Sequence, residues 1–420
     1  MEKRSARITM GLLVGPFPPP VGGDTVMTAR LIASRHWGER GVRLARVDVS
    51  AHGGVRLPDE RFSWRDALRA ARVFVQFVAR LPRADFVLLW DNSRFLVTLG
   101  IPMVLVAAAA RKPVFVKPFG AQIAQRIEEL PAPWRLVVQR SLRAATSILP
   151  ETRALARDLV GRLAFEKERV LWLPAFLPDS ALLDSFPARG FSGRCVLVGQ
   201  VKKEKGVFDI IDALRGRPGL RCDFYGPLLE RDREAFLAEV ASAPNVAYRG
   251  VLEPVSVGDA IRKYEVLLLP TFHTGEGYPA VVLEAYACGV PVVTTKWRSI
   301  PEIVDDGVTG LLIPPQAPHR IREALDRLSG DGSLYETLAR GAFDRARSFS
   351  EQAVVAGILI PVVEKALARR GERRRRGNSG RGRGGTERGG ASSGAPRARG
   401  SGSSAGARAP GAHGAEKDRP

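Results

Sequence analysis

Short apolar runs alternate along the chain with longer segments whose apolar residues recur every three or four positions. Arg7–Val14 reads as a first strand, and a Pro/Gly loop, Gly15–Gly23, separates it from a helix over Asp24–Ile32. Asp24 or Thr25 is a suitable N-cap there. Val42–Val49 alternates as a second strand, and Trp64–Leu81 has helical periodicity through Leu68, Val73, Phe77 and Leu81. Phe86–Trp90, Pro113–Lys117 and Ser147–Pro150 have strand length and composition. Leu96–Ala110, Trp134–Ala145 and Glu151–Leu163 read as helical, and Val170–Leu173 closes this half. Pro174–Gly193 is rich in Pro, Ser, Gly and Asp and reads as a linker. The alternation then restarts, with strands at Arg194–Val198, Leu220–Tyr225, Asn245–Tyr248, Val266–Leu269, Val290–Val293 and Leu311–Pro314.

Strand–helix alternation in both halves predicts an α/β protein with parallel sheets. The expected organisation is a domain over 1–173, a linker over 174–193 and a second domain over 194–350. An amphipathic helix over 351–369 follows. From 370 to 420 the chain is Gly, Ala, Ser and Arg with almost no large apolar residue. Such a segment buries too little surface to offset ordering entropy, so a disordered basic tail is expected.

Composition sharpens this outline. The chain has 420 residues, enough for two domains, and carries a net charge of +20. Half of that charge lies from Ala368 onward, in a stretch with 14 basic and 4 acidic residues. No aromatic residue lies between those arginines, so base stacking has no platform and nucleic acid is disfavoured as a partner. An anionic membrane surface suits the charge better; Trp64–Leu81, with Arg65, Arg69, Arg72 and Arg80, is a basic amphipathic helix that taken alone reads first as an ordinary helix packed on the sheet with a solvated basic face, and second as one lying on such a surface. Cys195, Cys222 and Cys288 are scattered and odd in number, which fits a reducing compartment. Five histidines without close Cys/His spacing give no structural zinc site. No signal peptide is expected at the start, and the longest apolar stretch, Phe95–Ala110, falls short of the ~20 residues of a spanning helix. The expectation is a cytoplasmic protein, peripheral on the inner face of a membrane.

The chemistry concentrates in His273–Pro291, HTGEGYPAVVLEAYACGVP. The apolar runs on either side make it a strand–loop–helix–strand unit. Pro279 suits a first helical turn and Gly289 the residue past the end. Ligands of parallel sheets bind outside the carboxyl ends of the strands, which is where the loop with Glu276 falls. Glu284 lies on the helix behind it.

Four segments together resemble the retaining glycosyltransferase family 4, with its two-Rossmann GT-B architecture. GEGYPAVVLEAYACGVPVV resembles the family's E-x7-E segment, with Glu276 and Glu284 as its glutamates. Leu197–Leu214 resembles the phosphate-binding strand–loop–helix, Ser299–Pro315 the segment after the E-x7-E helix, and GPFPPPVGG the N-domain glycine-rich loop. The resemblance implies two Rossmann-like domains facing a cleft, and transfer of a sugar from a nucleoside-diphosphate sugar to a glycan or lipid-linked saccharide. It implies that Glu284 accepts hydrogen bonds from the ribose and that Glu276 lies at the donor sugar as the catalytic carboxylate. Lys205 and the backbone N–H groups of Gly277, Tyr278, Pro279's neighbour Ala280 and their helix dipole would hold the diphosphate. Gly22 and Gly23 would let the N-domain backbone approach it. No metal or other cofactor is expected, because protein charge takes the cation's place.

Two positions depart from the family. Gln200 stands where the phosphate loop usually has an Arg, with Lys202 and Lys203 as the nearest substitutes. The N-domain strand end reads VKPFG, with Lys117 and no histidine. No catalytic base is therefore assigned. Asp91, Asn92 and Lys117 stand at strand ends that face the cleft, with capping as an equal reading; His273 reads first as a solvated loop residue and second as a sugar contact, and Glu302 as a first-turn residue of a helix. Two other functions remain compatible with the sequence. A sugar-nucleotide epimerase on the same scaffold would need acid–base residues in the cleft, and the scarcity of histidine there argues against it. A non-enzymatic basic scaffold would depend on the tail. A Rossmann dehydrogenase is disfavoured, since no GxGxxG follows a strand with an acidic residue about 20 positions on.

Overall fold

The computed structural model describes residues 8–19, 21–50 and 64–379, with side chains through Arg373. The predicted tail beyond Ser379 lies outside the described residues. The N-terminal sheet contains β1 (Thr9–Gly15), β2 (Val42–Asp48), β3 (Phe86–Asn92), β4 (Val114–Phe119) and β5 (Ser147–Ile148), in the order β2-β1-β3-β4-β5. The second sheet contains β6 (Arg194–Val198), β7 (Arg221–Tyr225), β8 (Val246–Tyr248), β9 (Val266–Leu269), β10 (Val292–Thr295) and β11 (Gly310–Ile313), in the order β11-β10-β9-β6-β7-β8. Every strand pair is parallel. Two parallel sheets with helical crossovers are the predicted fold class. The reason is visible in the strands: β3 is buried from Phe86 to Asp91 and β9 throughout. Only a sheet covered on both faces accepts such continuous apolar runs.

Five helices matter for the site. They are α1 (Gly23–Ala33), α2 (Trp64–Arg80), α3 (Val207–Leu214), α4 (Ala280–Ala287) and α5 (Ile360–Ser379). Each sheet buries one face in its own core, built around Phe77, Leu89 and Val116 in the first domain and Phe224, Leu268 and Leu325 in the second. The other faces share a central core in which Leu13, Phe86 and Trp90 of the N-terminal half join Val282, Tyr286 and Phe349. Both halves thus belong to one packed body.

Val170–Leu173, at the end of the first half, makes a single bridge, Ile148 to Val170. Two features are absent from the sequence reading. The linker is packed: Ala175, Phe176 and Leu177 are buried, and the Leu177 N–H donates to Phe349 O at 2.8 Å. Its Pro, Ser and Gly content described the backbone and concealed this apolar triplet. The final helix runs to Ser379 instead of stopping at 369, after a π-helical stretch over Gln352–Leu359. It returns to the first domain, where Arg370 Nη1 donates to Asp85 O at 2.9 Å and Arg40 pairs with Glu364. Arginine has high helix propensity, so a Gly-poor stretch such as Glu372–Arg376 continues a helix that is already nucleated.

Candidate active site

The site is built by the crossover from β9 to β10. β9 ends at Leu269, and Pro270–Pro279 forms the loop at its carboxyl end before α4 begins at Ala280. Pro279 occupies the N-cap, one position before the predicted first turn. Gly289 has φ +64°, the left-handed conformation expected just past a helix end. α4 places Glu284 one turn inside its start, and the loop places Glu276 above the strand end.

Glu276 is almost fully buried and held on three sides. Lys205 Nζ lies 2.7 Å from Oε2 and 3.0 Å from Oε1, and Thr271 Oγ1 donates to Oε2 at 2.7 Å. Burial opposes its charge, yet the Lys205 ammonium and the Thr271 hydroxyl together hold the carboxyl below its ordinary value. Lys205 arrives from the turn before α3. Gly206 makes that approach possible: its φ is +75°, and a Cβ there would stand 2.4 Å from Pro270 O. The β6–α3 loop and the Glu276 loop are therefore in contact through a glycine. The neighbouring Phe272 N–H reinforces the junction by donating to Glu204 O at 2.8 Å.

Glu284 has a different partner. Arg30 Nη2 of α1, in the first domain, donates to its Oε1 at 2.6 Å. Burial raises the Glu284 carboxyl above its ordinary value, and Arg30 only partly offsets that. Arg30 Nη1 is buried without a hydrogen-bond partner. Beside the loop, His273 Nδ1 is 3.4 Å from Lys202 Nζ. Burial, then the charges of Lys202 and Lys205, push the imidazole down to about 4, so it is neutral at neutral pH.

Glu276, Glu284 and Lys205 line a cleft of 1940 Å³ between the two sheets. Every residue proposed from sequence for the donor lines it: Gly22, Gly23, Gln200, Lys205, Glu276, Gly277, Tyr278, Pro279 and Glu284. Lys202 and His273 line it as well. Lys117 does not. Its ammonium is buried under the strand end, donates to Leu173 O at 2.6 Å and sits 4.0 Å from Glu151 Oε1. Burial lowers it to about 8. Asn92 caps a short helix by accepting from the Arg94 and Phe95 N–H groups, and it and Asp91 both line the cleft.

Sequence reasoning missed the partners across the cleft. Glu151 accepts from the backbone N–H groups of Gly120 and Tyr278, so a first-domain carboxylate reaches the start of the Glu276–α4 unit. Gly277 leaves room for it, since a Cβ there would stand 2.7 Å from Glu151 Oε2. Glu302 reaches the opposite way and accepts from the Arg153 and Ala154 N–H groups at 2.6 and 2.7 Å. It thus occupies the N-terminus of the Arg153–Gly161 helix. None of these cross-domain pairings has a local signal, because the partners stand more than a hundred residues apart in sequence.

Residues 193–345 match the family model described as glycosyl transferases group 1. A D-inositol 3-phosphate glycosyltransferase of Acidothermus cellulolyticus is 30% identical over 266 residues, 58% of this chain and 58% of that protein. An alpha-D-kanosaminyltransferase of Streptomyces kanamyceticus is 24% identical over 260 residues, 58% of this chain and 65% of that protein. The chain thus spans about six tenths of the length of these curated relatives. Among solved structures, Anabaena Alr3699/HepE in complex with UDP superposes with a TM-score of 0.63 at 15% identity, covering 85% of this chain and 100% of that one. The lipopolysaccharide outer core galactosyltransferase WaaB superposes with a TM-score of 0.61 at 15% identity, covering 86% and 99%. Over residues 193–345 the chain is thus similar to the group 1 glycosyl transferases, and its two parallel-sheet domains have the GT-B fold that the family 4 resemblance implies.

Proposed function

We propose that the protein is a retaining glycosyltransferase that moves a sugar from a nucleoside-diphosphate sugar to a glycan or lipid-linked saccharide. The observation that carries this reading is the convergence of Lys205, Glu276 and Glu284 at the carboxyl end of the second sheet, facing the first domain. The HepE structures with UDP and UDP-glucose support a nucleotide-sugar donor for this fold.

In the reaction the bond between the anomeric carbon and the phosphate oxygen breaks, and its electron pair leaves with the diphosphate. Lys205, Lys202 and the amino end of α4 supply the positive field that the leaving group needs. Glu276, kept ionised by Lys205 and Thr271, lies where a developing positive charge on the sugar is stabilised. The acceptor oxygen bonds to the anomeric carbon from the same face, and its proton passes to an oxygen of the departing phosphate. No protein base is required, which accommodates a first domain with Lys117 buried away from the cleft. Glu284 takes the ribose hydroxyls on the oxygen that Arg30 leaves open. The reaction needs no metal, and the buried free cysteines fit a reducing, cytoplasmic setting.

The test is product stereochemistry. The anomeric proton coupling of the transferred sugar is expected to show the configuration of the donor. An inverted product overturns the retaining mechanism, and absence of nucleotide release from every sugar nucleotide, with acceptors present, overturns the enzyme.

A further inference from the structure

We infer that Glu151 is a built-in competitor of the donor: its carboxylate occupies the diphosphate's place at the amino end of α4 while the cleft is empty, sets donor affinity, and helps expel the nucleoside diphosphate after transfer. This deepens the transferase reading and rests on it for the identity of the displaced group.

Glu151 stands between β5 and the helix Arg153–Gly161, in the first domain. The chain is fixed on both sides of its side chain. Trp172 Nε1 donates to the Glu151 carbonyl at 3.0 Å, and Thr152 caps the following helix by accepting from the Leu155 N–H at 3.0 Å. The carboxylate is 5% exposed and lines the cleft. It accepts from the N–H of Gly120 in its own domain, at 3.4 Å, and from the N–H of Tyr278 in the other. Glycines permit this approach. A Cβ on Gly277 would stand 2.7 Å from Glu151 Oε2 and 3.0 Å from Gly120 Cα, and a Cβ on Gly120 would stand 3.2 Å from Gly275 O. The carboxylate is thus pressed against the backbone of the Glu276 loop at the point where α4 begins.

That point is where the transferase reading puts the diphosphate. Gly277, Tyr278 and Ala280 carry the N–H groups assigned to it, and Pro279 between them has none. Glu151 takes the Tyr278 N–H and places an oxygen against Gly277. A carboxylate oxygen and a phosphate oxygen are the same kind of acceptor at a helix amino end, so the two compete for one hydrogen bond and one volume. Burial raises the Glu151 carboxyl above its ordinary value and Lys117 pulls it back. Neutral or ionised, its oxygen occupies the same place.

The displaced side chain has partners to fall back on. Lys117 Nζ lies 4.0 Å from Oε1, buried beneath the strand end. Once a phosphate takes the Tyr278 N–H, Glu151 keeps the Gly120 N–H and the Lys117 ammonium, both in its own domain. After transfer it returns to Tyr278 as the nucleoside diphosphate leaves. Glu302 separates this competition from simple closure of the cleft. It ties the same junction from the other side, accepting from the Arg153 and Ala154 N–H groups and from the Tyr278 hydroxyl at 3.3 Å. Those contacts leave the α4 N–H groups to Glu151.

The experiment is calorimetric titration of the full chain, Glu151→Ala and Glu302→Ala with UDP, GDP and ADP, alongside donor KM and product inhibition. Glu151→Ala should bind the nucleoside diphosphate about tenfold more tightly than the wild type, by removal of one competing hydrogen bond. Its donor KM should fall, its product inhibition should strengthen, and its kcat should not rise. Glu151→Ser is a second truncation that should behave alike. Damage to the fold weakens binding, so a gain in affinity separates competition from a structural role. Glu302→Ala should not tighten binding; tightening equal to that of Glu151→Ala would assign the effect to a loosened junction and overturn the proposal. Unchanged or weaker binding by both Glu151 variants, with the wild type binding normally, overturns it as well and leaves the transferase reading intact. Binding of no nucleoside diphosphate by any of these proteins overturns the donor site itself, and this assignment with it.

Discussion

The two glutamates of one motif are tuned in opposite directions. Glu276 is held ionised by Lys205 and Thr271, while Glu284 is pushed toward neutrality by burial and retained by Arg30. Glu276→Gln should therefore lower kcat by about 10²-fold or more, with donor affinity changing far less, as steady-state kinetics and calorimetry would separate. Glu284 has to be ionised to accept two ribose hydroxyls. Its raised value means that donor affinity falls on acidification through a window above the ordinary 4.5, while Glu276 is still charged. Arg30→Ala should move that window upward. The stability signs differ too. The folded state binds the Glu284 proton more tightly than the unfolded chain, so its contribution to stability falls as pH rises from the ordinary value through the raised one. For Glu276 the contribution is present above the ordinary value and is lost as pH falls through the lowered one.

At the scale of elements, the donor half was readable because its signals are local. An apolar tetrad, a loop, Pro279, an eight-residue helix and Gly289 form one continuous stretch, and each residue's conformation follows from its own chemistry. Lys205 was readable for the same reason, as part of a strand–loop–helix in register. The contact between the two loops was not, because it depends on Gly206 meeting Pro270 across the sheet. Gly206→Ala should cost about 1–3 kcal/mol from the positive φ and more from the collision. It should also weaken donor binding by displacing Lys205 from Glu276, which melting curves with and without nucleotide would show. Composition marked a linker over 174–193 without showing that it packs, and it ended the last helix before Ser379. Three buried residues, Ala175–Leu177, outweigh a Pro- and Ser-rich background once Phe349 and Ser350 supply a backbone partner.

Across the whole molecule, the cleft is closed by contacts between carboxylates of one domain and donors of the other: Glu284 with Arg30, Glu151 with the Tyr278 N–H, Glu302 with the Arg153 and Ala154 N–H groups. Such pairs were illegible in sequence, since nothing local marks residues that meet only after both domains fold. Gly277→Ala tests them. Its Cβ would enter the space of Glu151 Oε2 and Gly120 Cα, so small-angle scattering should show a more open particle, with the secondary structure unchanged. Chelation with EDTA should leave the transfer rate unchanged if chain cations alone serve the diphosphate.

The most direct measurement of the central claim is a melting-temperature panel of the wild-type chain and Glu284→Ala against UDP-, GDP- and ADP-sugars. A ligand at a hundred times its Kd stabilises the folded state by about 2.7 kcal/mol, well within reach of the method. At least one sugar nucleotide should raise the wild-type melting temperature and leave that of Glu284→Ala unmoved. A panel in which none stabilises the wild type, or in which both proteins shift equally, contradicts the site described for this cleft.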